Sequence, residues 1–131
     1  MRVVIDCNVV VSAARSGGVC GKVIVAAVRD HQIVLSDPIL DEYLMIAGRR
    51  KHTDYRDSLL AIIKEIEKVA IEVEPAETVF GIRDPDDEVY LATAVAGDAI
   101  VLITGNTRDF TEPNYGSVEV LSPRAFLDRI K

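Results

Sequence analysis

Val3, Val4 and Ile5 stand side by side near the start of the chain, and Asp6 and Asn8 follow at once. Three consecutive β-branched residues suit a strand buried on both faces, the habit of parallel strands covered by helices. That narrows the fold to the α/β class. It also says where to look for chemistry, because open α/β sheets take ligands at the carboxyl ends of their strands. Asp6 stands at that place. The simpler reading of Asp6 and Asn8 is a turn after the strand. The two readings separate on whether further acids reach the same edge.

A chain of 131 residues is the size of one domain, spanning residues 1–131, and its core needs no staples. Hydrophobic residues make up 49%, but aromatics only 5%, with no Trp. The core must then be Val, Ile, Leu and Ala, which favours parallel strands under helices over an aromatic-rich sandwich. Cys7 and Cys20 do not make a disulfide framework. Two scattered thiols and no signal-peptide pattern predict a cytoplasmic protein. No apolar run has the length of a membrane span. The net charge of −6 argues against a broad basic face for nucleic acid. It leaves room for an enzyme that meets phosphates through divalent cations.

The remaining pattern alternates. Arg15 to Gly18 reads as a loop and Val19 to Arg29 as a helix, with Val19, Val23, Ala26 and Ala27 on one face. Ile33 to Leu35 is a short strand. Asp37 and Pro38 start a helix that Gly48 closes, with Asp37 as its cap. Arg49-Arg50-Lys51-His52 is a basic loop, read either as solvated cations at a helix end or as an RNA-backbone contact. Thr53 or Asp54 caps the longest helix, whose apolar stripe is Leu59, Ile62, Ile63, Ile66 and Val69. Ala70 to Val73 is a strand. Asp84 to Asp87 open a helix that stops at Gly97. Ala99 to Ile103 and Val118 to Leu121 are strands, and Ser122-Pro123 starts a closing helix. The order predicts a three-layer α/β/α sandwich on a mainly parallel sheet.

In that architecture four segments bring acids to one edge. Asp6 ends the first strand. Glu42 lies in the first turns of the helix after the second. Asp84, Asp86 and Asp87 open the helix before the Ala99 strand, and Asn106 and Asp109 follow that strand. Each has a local alternative: Asp84 and Asp87 form a capping box, Glu42 suits the positive end of its helix, and Asp109 suits a turn. Together they call for a cation, because gathered like charges otherwise oppose folding. Carboxylates without His or Cys ligands favour Mg²⁺ or Mn²⁺ over zinc. His31 and His52 read as surface residues. Cys7 reads as core, since neighbours along a strand point to opposite sides.

Four motifs in order carry a family resemblance: Val4-Ile5-Asp6-Cys7-Asn8-Val9, Ser36-Asp37-Pro38-Ile39-Leu40-Asp41-Glu42-Tyr43, Arg83-Asp84-Pro85-Asp86-Asp87-Glu88-Val89-Tyr90-Leu91-Ala92-Thr93-Ala94, and Ile103-Thr104-Gly105-Asn106-Thr107-Arg108-Asp109-Phe110. Across essentially its whole length the chain resembles PIN domains, and among them the toxin-type ribonucleases of prokaryotic toxin–antitoxin pairs. The resemblance implies Asp6, Glu42 and Asp87 as the acidic core of a metal-dependent endoribonuclease. It implies Asn8, Ser12 and Thr104 as supporting polar positions. It also implies an RNA substrate, a small antitoxin that plugs the site, and a homodimer. Many members carry Asp where this chain has Asn106. Asn106 is then a candidate ligand through its carbonyl oxygen, with Asp109 supplying a further charge or orienting the attacking water. Arg83, Arg108 and Arg49 to Lys51 are candidates for phosphate contacts. Asn106 also motivates the alternative, a non-catalytic PIN-like binding module. A haloacid-type phosphatase needs a second Asp where Asn8 stands, and a phospho-receiver needs a Lys at the end of a late strand, which is missing.

Overall fold

The computed structural model describes residues 1–131. Its first strand, β1 (Arg2–Ile5), leads through Asp6 into α1 (Cys7–Ser16) and α2 (Gly18–Asp30). Next come β2 (Gln32–Leu35), α3 (Asp37–Ala47), a 3₁₀ helix at Arg50–Tyr55, α4 (Arg56–Val69) and β3 (Ile71–Glu72). The chain closes with α5 (Pro85–Ala96), β4 (Val101–Ile103), β5 (Asn114–Tyr115), β6 (Val118–Leu121) and α6 (Pro123–Arg129).

The six strands form one sheet in the order β3-β2-β1-β4-β6-β5. All neighbours are parallel except the β5–β6 hairpin at one edge. β1 is central, with Val3 opposite both Ile33 and Val101. Val3, Val4 and Ile5 are fully buried, as a strand covered on both faces requires. Helix α5 packs across β1, β2, β4 and β6, while α1 to α4 pack among themselves, with α2 and α4 reaching β2. The expected three-layer sandwich is the observed one. No single helix is long and apolar enough to cross a membrane.

Several local readings change. The segment after Asp6 is helical, and the expected loop at Arg15–Gly18 shrinks to Gly17. Val9, Val10 and Ala13 are buried at helical spacing, so tertiary burial overrides the strand preference of three adjacent valines. Gly17 and Gly18 both take positive φ, 70° and 55°, which only glycine does freely. They turn α2 by 115° from α1. Ser36, not Asp37, stands at the N-cap position of α3, without a side-chain capping bond, and Asp37 is the helix's first residue. Thr53 and Asp54 lie inside the 3₁₀ helix, so neither caps α4. That 3₁₀ helix also replaces the expected basic loop. Arg56 holds it down by donating from Nε to the Ala47 carbonyl at 2.6 Å and from a terminal nitrogen to the Arg49 carbonyl at 2.9 Å. These cation contacts satisfy carbonyls that the end of α3 leaves free.

Helix α4 keeps its predicted stripe, with Leu59, Ile63 and Ile66 buried. Gly97 ends α5 as expected, but for a packing reason. Its φ of −99° is open to any residue, whereas a Cβ there would collide with the Val34 side chain. Gly97→Ala is therefore expected to destabilise the protein by about 1–3 kcal/mol, read as a lower midpoint in urea unfolding. An unchanged midpoint would show that Val34 yields freely.

Candidate active site

Asp6 leaves β1 at the carboxyl edge and is 2% exposed. Its backbone N–H donates to the Ile103 carbonyl at 3.0 Å, which fixes it beside β4. Its Oδ2 accepts from the Thr104 hydroxyl at 2.6 Å and from the Asn8 side-chain amide at 3.3 Å. Burial raises its pKa, the Thr104 hydroxyl pulls it back, and the neighbouring Glu42 raises it further.

Glu42 comes from the second turn of α3. Its Oε1 accepts a hydrogen bond from the Tyr90 hydroxyl of α5. The same hydroxyl accepts from the Cys7 backbone N–H at 3.2 Å. Tyr90, fully buried, thus ties α1, α3 and α5 together. Two further clamps set α3: the Tyr43 hydroxyl donates to the Ile5 carbonyl, and buried Ser36 and Thr93 hydroxyls pair at 2.8 Å. The result brings ligand atoms of Asp6, Cys7 and Glu42 within 4.8 Å of one another.

Asp87 sits one turn before Tyr90. Asp84 caps α5 by accepting from the Asp86 N–H at 2.9 Å. The capping box is half made, because the Asp87 carboxylate turns to the strand edge, where the Asn106 side-chain amide approaches its Oδ2 at 3.5 Å. Asp87 is pushed up to about 7, first by desolvation, then by contact with the Asp109 carboxyl and by the charge of Asp6. Asp109 shifts the other way, lowered by the Asn106 amide, by Asp87 and by Arg83. Arg83 pairs with it at 3.4 Å while remaining largely exposed.

Asn106 has a fixed orientation. Its Oδ1 accepts from the backbone N–H groups of Arg108 at 3.2 Å and Asp109 at 3.1 Å. Its amide nitrogen therefore faces Asp109 at 3.1 Å and Asp87. Its own N–H donates to the Thr104 hydroxyl at 2.9 Å. Asn8 adds a brace, its Oδ1 accepting from the Gly105 N–H at 3.2 Å. Ser12 makes no side-chain hydrogen bond to these acids and lines a separate depression with Asn8, Val9, Cys20, Gly105 and Pro123.

The basic candidates divide. Arg83 and Arg108 are exposed beside Asp109 and Asn106. Arg49, Arg50 and Lys51 are exposed at the other end of α3, past its last turn. Arg15 joins them there, since its charge acts on His52 together with those of Lys51, Arg49 and Arg56. His52 itself is not a surface residue: it is 5% exposed, and its Nδ1 bonds the Tyr55 hydroxyl. His31 packs edge-on against Phe126 and accepts from the N-terminal amine at 3.2 Å. Cys7 is not turned from the acids, because the chain becomes helical at Cys7 and strand alternation no longer applies. Sequence reasoning missed its placement, and it passed over the roles of Tyr90, Tyr43, Ser36 and Thr93. The spacing of Asp87 and Tyr90, three apart on one helix face, was the available signal for Tyr90.

The PIN domain family model matches residues 2–108. The chain belongs to the PIN domain family. Its PIN fold is similar to that of VapBC2 from Rickettsia felis bound to a DNA fragment from the promoter, with a TM-score of 0.64 and 16% identity. That alignment covers 93% of this chain and 98% of the other. It is also similar to VapBC-1 from nontypeable Haemophilus influenzae, with a TM-score of 0.62, 17% identity, and coverage of 95% and 99%. A search of curated proteins found no match.

Removing the Tyr90 hydroxyl tests the clamp on this PIN site. Tyr90→Phe leaves the Cys7 N–H and Glu42 without a partner, so a loss of about 1–3 kcal/mol is expected. If Glu42 binds a divalent cation, affinity for that cation should fall on the order of 10- to 100-fold, as when a metal ligand loses its orienting partner. A calorimetric titration with Mn²⁺ checks this, and unchanged affinity would show that Tyr90 only packs.

Proposed function

We propose that the protein is a Mg²⁺- or Mn²⁺-dependent endoribonuclease that hydrolyses RNA phosphodiester bonds. The observation that carries this reading is the meeting of Asp6 and Glu42 at the sheet edge, within 4.8 Å, with Asp87 close enough to be raised by the charge of Asp6. Such a donor set fits a hard divalent cation: oxygen ligands, net negative charge and a partly buried position. Asp6, Glu42 and Asp87 would hold it. Bound there, the ion supplies Lewis-acid polarisation of the phosphodiester and makes water a stronger acid.

The chain's own groups do the rest. Thr104 and Asn8 hold the Asp6 carboxylate, and Tyr90 holds that of Glu42. Asp109, kept ionised by Asn106 and Arg83, accepts a hydrogen bond from the attacking water and orients it. Asn106 serves as a donor between two carboxylates, its carbonyl oxygen being committed to the backbone. Arg83 and Arg108 contact the RNA backbone next to the acids, and Arg49, Arg50 and Lys51 contact it farther along. Ser12 shapes the neighbouring depression with Asn8 and Gly105.

In this reading the protein is the toxin of a toxin–antitoxin pair, works in the cytoplasm, forms a homodimer and is held inactive by a small antitoxin protein. The likeness to two VapBC structures supports the pairing. Asn106 supports a second reading, a binding module without catalysis, because its uncharged amide donates to both Asp87 and Asp109 and so eases their repulsion without a cation.

The test is cleavage of single-stranded RNA by purified protein. Mg²⁺ or Mn²⁺ should be required, and EDTA should abolish turnover. Equal cleavage in EDTA would overturn the metal-dependent reading. Stable RNA binding with no cleavage under any divalent cation would favour the second.

A further inference from the structure

Helix α1 starts at the acids and ends among cations, and one of its faces joins the two. Asn8, Ser12 and Arg15 stand four and three residues apart, so they share a face. The Asn8 amide donates to the Asp6 carboxylate at 3.3 Å. Arg15, in the last turn, lies about 10 Å farther along the axis. Its charge reaches both Cys20 and His52. It is exposed and belongs to neither of the protein's ion pairs. The exposed Arg49, Arg50 and Lys51 continue the positive surface, a local excess in a chain of net charge −6.

Between its two ends the face borders a depression of about 240 Å³, where Asn8 and Ser12 meet Val9, Cys20, Gly105 and Pro123. That is smaller than the roughly 300–1,000 Å³ of pockets that enclose a small molecule, so it admits one sugar or base of an unpaired strand and no duplex. Apart from the neighbouring Cys20 thiol, a weak partner, the Ser12 hydroxyl has no bond within the protein. A second depression at the acids lies between α3 and α5, where Asp41 and Asp86 join Glu42 in the wall. Those carboxylates repel a phosphate chain, whereas Arg15 attracts one. Charge therefore selects the α1 side as the way out of the centre.

We propose that this face of α1 binds single-stranded RNA next to the scissile phosphate: the adjoining nucleotide seats in the depression against Ser12 and Gly105, and Arg15 holds the phosphate beyond it. The position of the scissile phosphate rests on the nuclease reading. The competing role for Arg15 is to favour the carbonyl end of α1, which affects stability and leaves RNA affinity alone.

The experiment measures binding of a fluorescently labelled, unstructured RNA to the full-length protein in EDTA, by anisotropy across a salt series. Arg15→Gln should bind more weakly, and its slope of log affinity against log salt should be shallower by about 0.7, one phosphate contact on a single strand. Arg15→Lys should restore the slope. Arg29→Gln, which removes an exposed cation near the start of β2 at the opposite edge of the sheet, should keep it. Ser12→Leu fills the depression and should weaken binding with the slope intact; Ser12→Val takes its place where the leucine variant melts early. An Arg15→Gln slope equal to wild type, or an equal loss in Arg29→Gln, overturns the track along α1. A folded Ser12 variant that binds like wild type removes the depression from it. A second arm follows cleavage in Mg²⁺, where Arg15→Gln should raise KM more than it lowers kcat. RNA held through Arg15 without cleavage under any divalent cation would sink the nuclease reading and leave the track standing; cleavage with a KM untouched by Arg15→Gln does the reverse.

Discussion

Asp6→Asn is expected to lower RNA cleavage at least about 100-fold while leaving the protein as stable as wild type, or more so. The two halves of that result have one cause. Asp6 is 2% exposed, and burial is the main influence raising its pKa. The folded protein therefore holds a carboxylate that would be better solvated unfolded. Asn fits the same space, and its carbonyl oxygen can still accept from Thr104 and Asn8. The change removes an unfavourable charge and keeps the hydrogen bonds. It also removes an anionic ligand, and loss of a mere supporting partner already weakens such centres 10- to 100-fold. Cleavage of a labelled RNA and urea unfolding, measured on one preparation, check both halves. Retained cleavage would remove Asp6 from the chemistry. A marked fall in stability would mean that the carboxylate holds the fold.

The second large effect concerns pH. Burial first, and then the neighbouring Asp109 and Asp6 carboxyls, push Asp87 up to about 7 from the ordinary 3.8. A folded value above the unfolded one means that the folded state binds the extra proton. That contribution is complete below about pH 4 and is lost as pH rises through 7. Metal-free wild type should thus lose stability across this window, by roughly 1–2 kcal/mol once the partial exposure of the group is allowed for. Asp109 works against this only at lower pH, since its own shift is downward. Asp87→Asn should flatten the dependence and be the more stable protein at pH 8. Were Asp87 only the third member of a capping box, its loss would instead destabilise the protein by about 1 kcal/mol at any pH. Melting curves of both proteins at pH 5 and pH 8 separate the two. Because a cation must displace the same proton, Mn²⁺ affinity should also rise with pH through 7.

What the sequence made legible was whatever local rules decide. Val3 to Ile5 read as a buried strand, Leu59 to Ile66 as a helix stripe, and Asp84-Pro85 as a helix start, because periodicity and capping act within a few residues. Asp6, Glu42, the Asp84–Asp87 run and Asp109 could be named as candidates because strand ends and helix starts share an edge in α/β folds, and the resemblance to PIN domains singled out Asp6, Glu42 and Asp87 among them. What escaped depends on contacts distant in sequence. α1 is helical because Val9 and Val10 face the core. The spacing from Asp87 places Tyr90 on the site's face of α5, but only the fold brings its hydroxyl to Glu42 and the Cys7 N–H. His52 looked solvated within a run of cations, yet the 3₁₀ turn buries it against Tyr55. The orientation of Asn106, nitrogen toward the acids, follows from two backbone donors that only the folded loop supplies.

The central claim is that Asp6, Glu42 and Asp87 serve one divalent cation. The most direct measurement is the melting temperature of wild type and Asp87→Asn, each without Mn²⁺ and at one Mn²⁺ concentration, about 100 times the wild-type dissociation constant. Binding only to the folded state then adds about 2.7 kcal/mol, an upward shift of roughly 10 °C for a domain of this size. Wild type should show that shift and Asp87→Asn little of it. No shift in wild type, or the same shift in both, would contradict the account.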